Sequence, residues 1–158
     1  MADHAKIRKA AAAMRVLLTA PMPPDPDALA DTRWALGSAV MQHLSTEECH
    51  LYAKLDDHPD KVLRDLAARF QGELNTLFRD YVDHVKQWTP ELVASAWHRY
   101  RGSAIALLDR LEQRIGLEER NLYPVAFRSG LEIDARSRPV RNFAGAAFQI
   151  KDVVKPGG

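Results

Sequence analysis

Apolar residues recur at a helical spacing through most of the chain. Four segments carry an apolar residue every three or four positions, which places those residues on one face of an α-helix. The third segment shows the period most clearly, with Leu63, Leu66, Phe70, Leu74, Leu77, Tyr81 and Trp88 on its stripe. The alternation that is typical of strands is almost absent. The pattern therefore predicts an all-α protein.

Prolines and glycines separate the four segments. Breaks fall at residues 21–26, before Pro59, at Thr89-Pro90 and at Gly130. Thr89-Pro90 is typical of a helix start, because Thr can cap a helix and Pro fits its first position. The predicted helices lie near residues 3–19, 29–55, 59–88 and 91–127, with a kink allowed between residues 97 and 102. Four amphipathic helices with mostly short connections favour an up-down-up-down four-helix bundle.

The last part of the chain has a different composition. Basic, loop-like residues at 136, 138 and 141 precede four apolar residues between Phe143 and Ile150. We therefore expect a four-helix bundle over residues 1–130 and an irregular C-terminal tail over residues 131–158. The tail would pack on the bundle or extend from it.

Composition narrows the classes of protein to which the chain could belong. Hydrophobic residues make up 46% of its 158 residues, which is enough for a folded core. The 22 basic residues nearly balance the 21 acidic ones, so a dedicated nucleic-acid binder is disfavoured. A single cysteine, Cys49, excludes an internal disulfide and a cysteine-based zinc cluster. No apolar run is long enough for a membrane span or a signal peptide. A cytoplasmic protein that contacts no membrane is expected.

Several ionisable residues occupy core positions of the predicted helices. His43 and Glu47 follow the leucines of the second helix, and Glu118 follows those of the fourth. Burying an ionised group costs several kcal/mol unless it is paired or bound to a metal. Six such residues fall within roughly 10 Å along the bundle axis, namely His4, His43, Glu47, Glu73, Arg114 and Glu118. His84 lies about 20 Å from this level and is predicted to be a partly buried or surface histidine near the other end of the bundle.

A short sequence motif, called the repeated phrase below, occurs at the ends of the second and fourth helices. Residues 43–52 and 114–123 share the pattern basic-x-x-x-Glu-Glu-x-x-Leu-Tyr. An αα unit used twice would give the bundle an approximate twofold symmetry. The two phrases, together with Asp3-His4 at the start of the first helix, resemble the hemerythrin-like HHE cation-binding family over residues 3–127.

This resemblance implies a non-haem di-iron centre inside the bundle, with His4, His43, Glu47 and Glu118 as ligands. The chain departs from the family pattern at Arg114, which stands where the family has a histidine, and a guanidinium cannot ligate a metal. The third helix offers Glu73 at this level instead of a histidine. The expected metal site is therefore His4, His43, Glu47, Glu73 and Glu118, with one or two non-haem iron ions or with no metal.

Two kinds of function are favoured by the sequence, and a di-iron enzyme of the carboxylate class is the remaining possibility. In the first, the chain is a metal-binding domain that senses oxygen or redox state and is not an enzyme. In the second, the chain is a metal-free regulatory or docking module, held together by a buried network of Arg114 and glutamates. Both hypotheses predict that Arg114 lies within hydrogen-bond reach of Glu47 or Glu118, because a cation on the core stripe needs an anion to compensate its charge. The protein partner and the oligomeric state stay open.

Overall fold

The computed structural model describes the backbone of residues 2–130 and their side chains, except those of residues 2 and 47–49. Seven α-helices follow one another in this range: α1 Ala2–Leu18, α2 Pro26–Glu47, α3 Ala53–Asp56, α4 Lys61–Gln87, α5 Pro90–Ser95, α6 Trp97–Leu117 and α7 Tyr123–Arg128. Wider π-helical turns, Glu48–Tyr52 and Glu118–Leu122, join α2 to α3 and α6 to α7. No strand occurs in residues 2–130, so the all-α prediction is confirmed there.

The up-down-up-down order of the helices stays a prediction. The expected tail at 131–158 lies outside the described residues. Within the described range, no helix is both long and apolar enough to cross a bilayer.

Short polar side chains fix where several helices begin. α2 starts at Pro26 rather than near residue 29, because the Asp25 carboxylate accepts a hydrogen bond from the Ala28 N–H at 3.0 Å. At the start of α4, Asp60 accepts from the Val62 N–H at 2.8 Å. Thr89 caps α5 as the sequence predicts, with Pro90 in the first position.

The predicted fourth helix is interrupted twice. Ala96 leaves the helical conformation, with φ −131° and ψ 44°, and separates α5 from α6. The π-helical turn Glu118–Leu122 then widens the helix inside the second copy of the repeated phrase. The other π-helical turn, Glu48–Tyr52, lies inside the first copy. Turns of this kind are rare and are frequently found at functional sites.

Buried apolar residues of the helices form one continuous core. Polar contacts outside that core also join α1 to α6. Arg15 donates to Asp109 at 2.6 Å and to Glu112 at 3.1 Å. Near the end of α1, the Arg101 guanidinium donates to the Leu18 carbonyl at 2.6 Å. These contacts join the last turns of α1 to α6.

Candidate metal centre

Three side chains from different parts of the chain meet inside the bundle. His4 comes from α1, His43 from α2, and Glu118 is the first residue of the second π-helical turn. Each offers one possible ligand atom, and the three atoms lie within 4.8 Å of one another. The three residues are 1%, 6% and 0% exposed, so water competes little for these atoms.

Two of the three separations between these atoms suit a single metal ion. Glu118 Oε2 lies 3.1 Å from His4 Nε2 and 3.3 Å from His43 Nε2. Two ligand atoms that are each about 2.1 Å from one ion stand roughly 3–3.5 Å apart. The carboxylate oxygen and the nitrogen lone pairs would repel one another without a positive charge between them. A proton or a metal cation must therefore bridge them.

A chain of hydrogen bonds orients His4. Its Nδ1 lies 2.8 Å from Glu119 Oε1, and Arg8 donates to both oxygens of Glu119, at 2.9 and 2.8 Å. Hydrogen bonds from Arg8 first, and then from His4, lower the pKa of Glu119 to about 2. Glu119 is therefore an anion that can accept a hydrogen bond from His4 Nδ1 and so fix the orientation of the ring. Metal-binding histidines are commonly held by such a carboxylate.

Arg114 occupies the other side of Glu118. Its Nε donates to Glu118 Oε1, and its Nη2 donates to the Tyr52 hydroxyl at 2.6 Å. The Arg114 guanidinium also lies over the Phe70 ring, 4.9 Å from the ring centre. The prediction that Arg114 reaches Glu47 or Glu118 is confirmed by its contact with Glu118.

Opposing influences act on the charge of Glu118. Burial is the largest of them and raises its pKa, because the charged form loses water. Hydrogen bonds with His4 and His43, together with the charges of His43 and Arg114, outweigh burial, so the pKa of Glu118 lies well below its usual value. Glu118 is an anion at neutral pH, as a metal ligand must be.

Two other predicted ligands have different outcomes. The Glu47 side chain lies outside the described residues, so its place among the ligands stays a prediction. Glu73, expected at the edge of the shared interior space, has a side chain that is 50% exposed and pairs with Arg69 at 3.2 Å. Leu74 takes the interior position on α4 instead. Glu73 Oε2 lies 3.7 Å from Arg114 Nη1, at the outer edge of the network and outside the cluster.

Sequence reasoning did not assign a role to Tyr123, Tyr52 or Glu119. The Tyr123 hydroxyl lies 3.1 Å from His4 Nε2 and donates to Glu118 Oε2 at 3.4 Å. Tyr52 and Tyr123 end the two copies of the repeated phrase, and Glu119 is the second glutamate of its copy. The repeat therefore marked all three, but only the folded chain shows that they contact His4, Glu118 and Arg114.

Histidines outside the cluster have other surroundings. His84 is half-buried on α4, as predicted, and His98 is exposed. The His58 ring accepts a hydrogen bond from the Asp60 N–H at the turn before α4. His50 is buried, and its Nδ1 has no hydrogen-bond partner among the described residues. It does not belong to the group that could hold a metal.

Comparison with known proteins agrees with this geometry. The family model described as Hemerythrin HHE cation binding domain matches residues 1–126, a range that includes His4, His43 and Glu118. Neither the curated proteins nor the solved structures gave a match. The match covers most of the 158 residues. The chain therefore belongs to the hemerythrin HHE cation-binding domain family.

Proposed function

We propose that the chain binds one metal ion through His4, His43 and Glu118, and that this ion is non-haem iron. The observation that carries the proposal is the meeting of two imidazole nitrogens and one carboxylate oxygen in a buried space. Two histidines and one carboxylate form a donor set that non-haem ferrous sites use, with positions left open on the metal. Glu47, which the sequence places in the ligand set, would add a further oxygen.

Arg114 supports one ion rather than two. A carboxylate that bridges two metal ions gives one oxygen to each, but Arg114 Nε already takes Oε1 of Glu118. A guanidinium cannot ligate a metal, and its charge repels a cation placed beside it. The positive charge of Arg114 therefore stands where the family pattern would place part of a second metal site.

An apolar cavity beside the cluster supports a role with a small uncharged molecule. The cavity has a volume of about 20 Å³ and is bordered by His43 and Arg114, with leucines of α2, α4 and α6 around it. That space holds about one water-sized group. Bound iron would supply open positions for dioxygen, so we propose oxygen or redox sensing as the use of the site. The cavity would admit dioxygen and keep larger reactants out.

A metal-free module is the second candidate. The contacts of Arg114 with Glu118 and Tyr52 favour it, because they compensate buried charges without any ion. In that case a proton would lie between Glu118 and the two histidines. The chain would then act through its surface.

Thermal unfolding with and without ferrous ion, in the absence of oxygen, separates the two candidates. Metal present at a hundred times its dissociation constant stabilises a protein by about 2.7 kcal/mol, which is roughly 5–10 °C for a domain of this size. We expect the wild type to gain that much and His43→Gln to gain little. His98→Gln, which changes an exposed histidine, is the matched control and should behave as the wild type. No gain in the wild type would contradict metal binding and favour the metal-free module.

The redox role needs a second measurement on the same protein. Ferrous-loaded protein is exposed to air, and the iron is then returned to the ferrous state with dithionite. We expect a reversible change in melting temperature between the two states that His43→Gln does not show. Identical melting temperatures for the ferrous and ferric proteins would contradict redox sensing and leave metal binding standing.

A further inference from the structure

A second buried polar site lies at the other end of the bundle. Arg33 on α2 is 6% exposed, although it carries a permanent charge. It stands ten residues before His43 in the same helix, which corresponds to about 15 Å along the axis. This site is therefore separate from the candidate metal centre.

The charge of Arg33 is poorly compensated. Its Nη2 donates to the Trp88 carbonyl at 2.8 Å, and its guanidinium lies 5.5 Å from the centre of the Tyr100 ring. No carboxylate of residues with described side chains forms an ion pair with it. A buried charge costs several kcal/mol unless an opposite charge and hydrogen bonds compensate it. Arg33 thus has donors and a charge that an anion would satisfy.

A cavity lies against this guanidinium. Its volume is about 30 Å³, and α1, α2, α4 and α6 all contribute to its wall. Its polar lining consists of Arg33, Tyr81, His84 and Tyr100, and the other lining residues are apolar. A single water needs roughly 10–15 Å³ of such space. The cavity therefore has room for a ligand of one to three heavy atoms.

The other polar groups suit an anion better than a cation. Burial, and then the charge of Arg33, lower the pKa of His84 to about 4, so His84 is neutral at pH 7. Its Nε2 is buried and has no hydrogen-bond partner among the described residues. Burial raises the pKa of Tyr81 and of Tyr100, so both phenols keep their protons. The lining therefore offers phenol O–H donors and a neutral imidazole around one positive charge, and no negative charge.

Arg33 also lines a second hollow of about 40 Å³, whose walls include prolines of the α1–α2 connection and Pro90 at the start of α5. The side chain of Arg33 therefore borders both hollows. We propose that the cavity beside Arg33 is a binding site for a small monovalent anion, of the size of chloride, nitrite or formate.

Line broadening of chloride-35 in nuclear magnetic resonance tests the site on the full chain. Chloride that exchanges with a protein site gives a broader line, and formate that occupies the same site removes the excess. We expect the wild type to show a saturable excess that formate displaces. Arg33→Gln should reduce this excess at least tenfold, because the charge is lost. Ala104→Ile should do the same, because Ala104 lines the cavity and the larger side chain fills it.

Arg101→Gln is the matched control. Arg101 also donates to a backbone carbonyl, that of Leu18, but it does not line the cavity. This variant should keep the full excess broadening. The proposal is overturned if the wild type shows no displaceable excess, or if Arg33→Gln keeps it. Should Arg33→Gln fail to fold, Ala104→Ile decides, since it leaves the charge in place.

Discussion

Two buried arginines, Arg114 and Arg33, differ in what compensates their charge. Each is 6% exposed. Arg114 pairs with the buried carboxylate of Glu118 and with the Tyr52 hydroxyl. Arg33 has a backbone carbonyl and an aromatic ring as its partners among the described residues.

The difference shows that burial of a charge does not by itself identify a function. Arg114 pairs with Glu118, a carboxylate that can ligate a metal, so the charge of Arg114 is compensated inside the protein. Arg33 lines a cavity and forms no ion pair with a carboxylate of the residues whose side chains are described, so its charge is available to a ligand. The partner of a buried charge, more than its burial, therefore indicates what the charge does.

Removing the carboxylate beside Arg114 should have the largest effect on stability. Glu118→Gln removes the buried carboxylate that pairs with Arg114, and breaking such a buried pair costs about 3–5 kcal/mol. Urea unfolding of the metal-free protein measures this loss. Glu112→Gln is the control, because Glu112 pairs with Arg15 nearer the surface, where a pair is worth less than about 1 kcal/mol. Equal losses in the two variants would show that the Arg114 network is not a buried ion pair.

Replacing Arg114 by histidine tests whether its charge stands in for metal. The metal-free Arg114→His protein should lose about 3 kcal/mol, because the buried ion pair between Arg114 and Glu118 is broken. Ferrous or zinc ion should then raise its melting temperature more than that of the wild type, since an imidazole can ligate. Arg110→His, which breaks a pair with Asp80, should show neither effect. If metal raised the melting temperature of the wild type as much as that of Arg114→His, the idea that the charge of Arg114 stands in for metal would be contradicted.

Acidification should affect the end of the bundle where Arg33 lies. The pKa of His84 is about 4 in the folded chain and close to 6.5 in an unfolded one. The unfolded chain therefore takes up a proton first as the pH falls. The resulting loss of folding stability is absent above about pH 6.5, grows on acidification and is complete below about pH 4. Allowing for partial exposure, it amounts to roughly 2 kcal/mol.

Unfolding by urea at pH 7 and at pH 4.5 checks this prediction. The wild type should lose more stability between the two pH values than His84→Phe, in which the titrating group is absent. An equal loss in both proteins would show that His84 does not carry the effect. Carboxylates titrate alike in both proteins, so the difference between their losses of stability is due to His84.

The smallest effect concerns Arg33 itself. Arg33→Met should cost about 1 kcal/mol or less, because removing a poorly compensated charge offsets the lost bond to the Trp88 carbonyl. Arg114→Met should cost about 3 kcal/mol, since it removes the guanidinium that pairs with Glu118 Oε1. Guanidinium chloride would supply an anion, so urea is the suitable denaturant. A larger loss for Arg33→Met than for Arg114→Met would reverse the comparison.

The sequence predicts the helices better than it predicts which side chains meet. Proline breaks and the apolar period place α1 and α4 within a few residues. The break at Ala96 and the two π-helical turns leave no signal in the period, because the apolar stripe continues across them. Glu73 falls on the helical row through Phe70 and Leu77, but its side chain is 50% exposed. The buried row of α4 runs through Phe70 and Leu74 instead.

Candidate site residues were predictable where two signals agreed. His43 and Glu118 lie both on an apolar stripe and in the repeated phrase, and the structure brings them together. His4 was predicted from its register and from the resemblance to the family. Arg33 gave no signal, because an arginine in a helix is usually exposed and no repeat marks it. Only the fold shows that Arg33 is buried beside a cavity.

The number of iron ions per chain tests the central claim most directly. The full chain is dialysed against excess ferrous ion without oxygen, and bound iron is counted against protein. The account predicts one iron per chain for the wild type and none for Glu118→Gln. Two irons per chain would contradict the role given to Arg114. No retained iron in the wild type would contradict the metal centre of His4, His43 and Glu118.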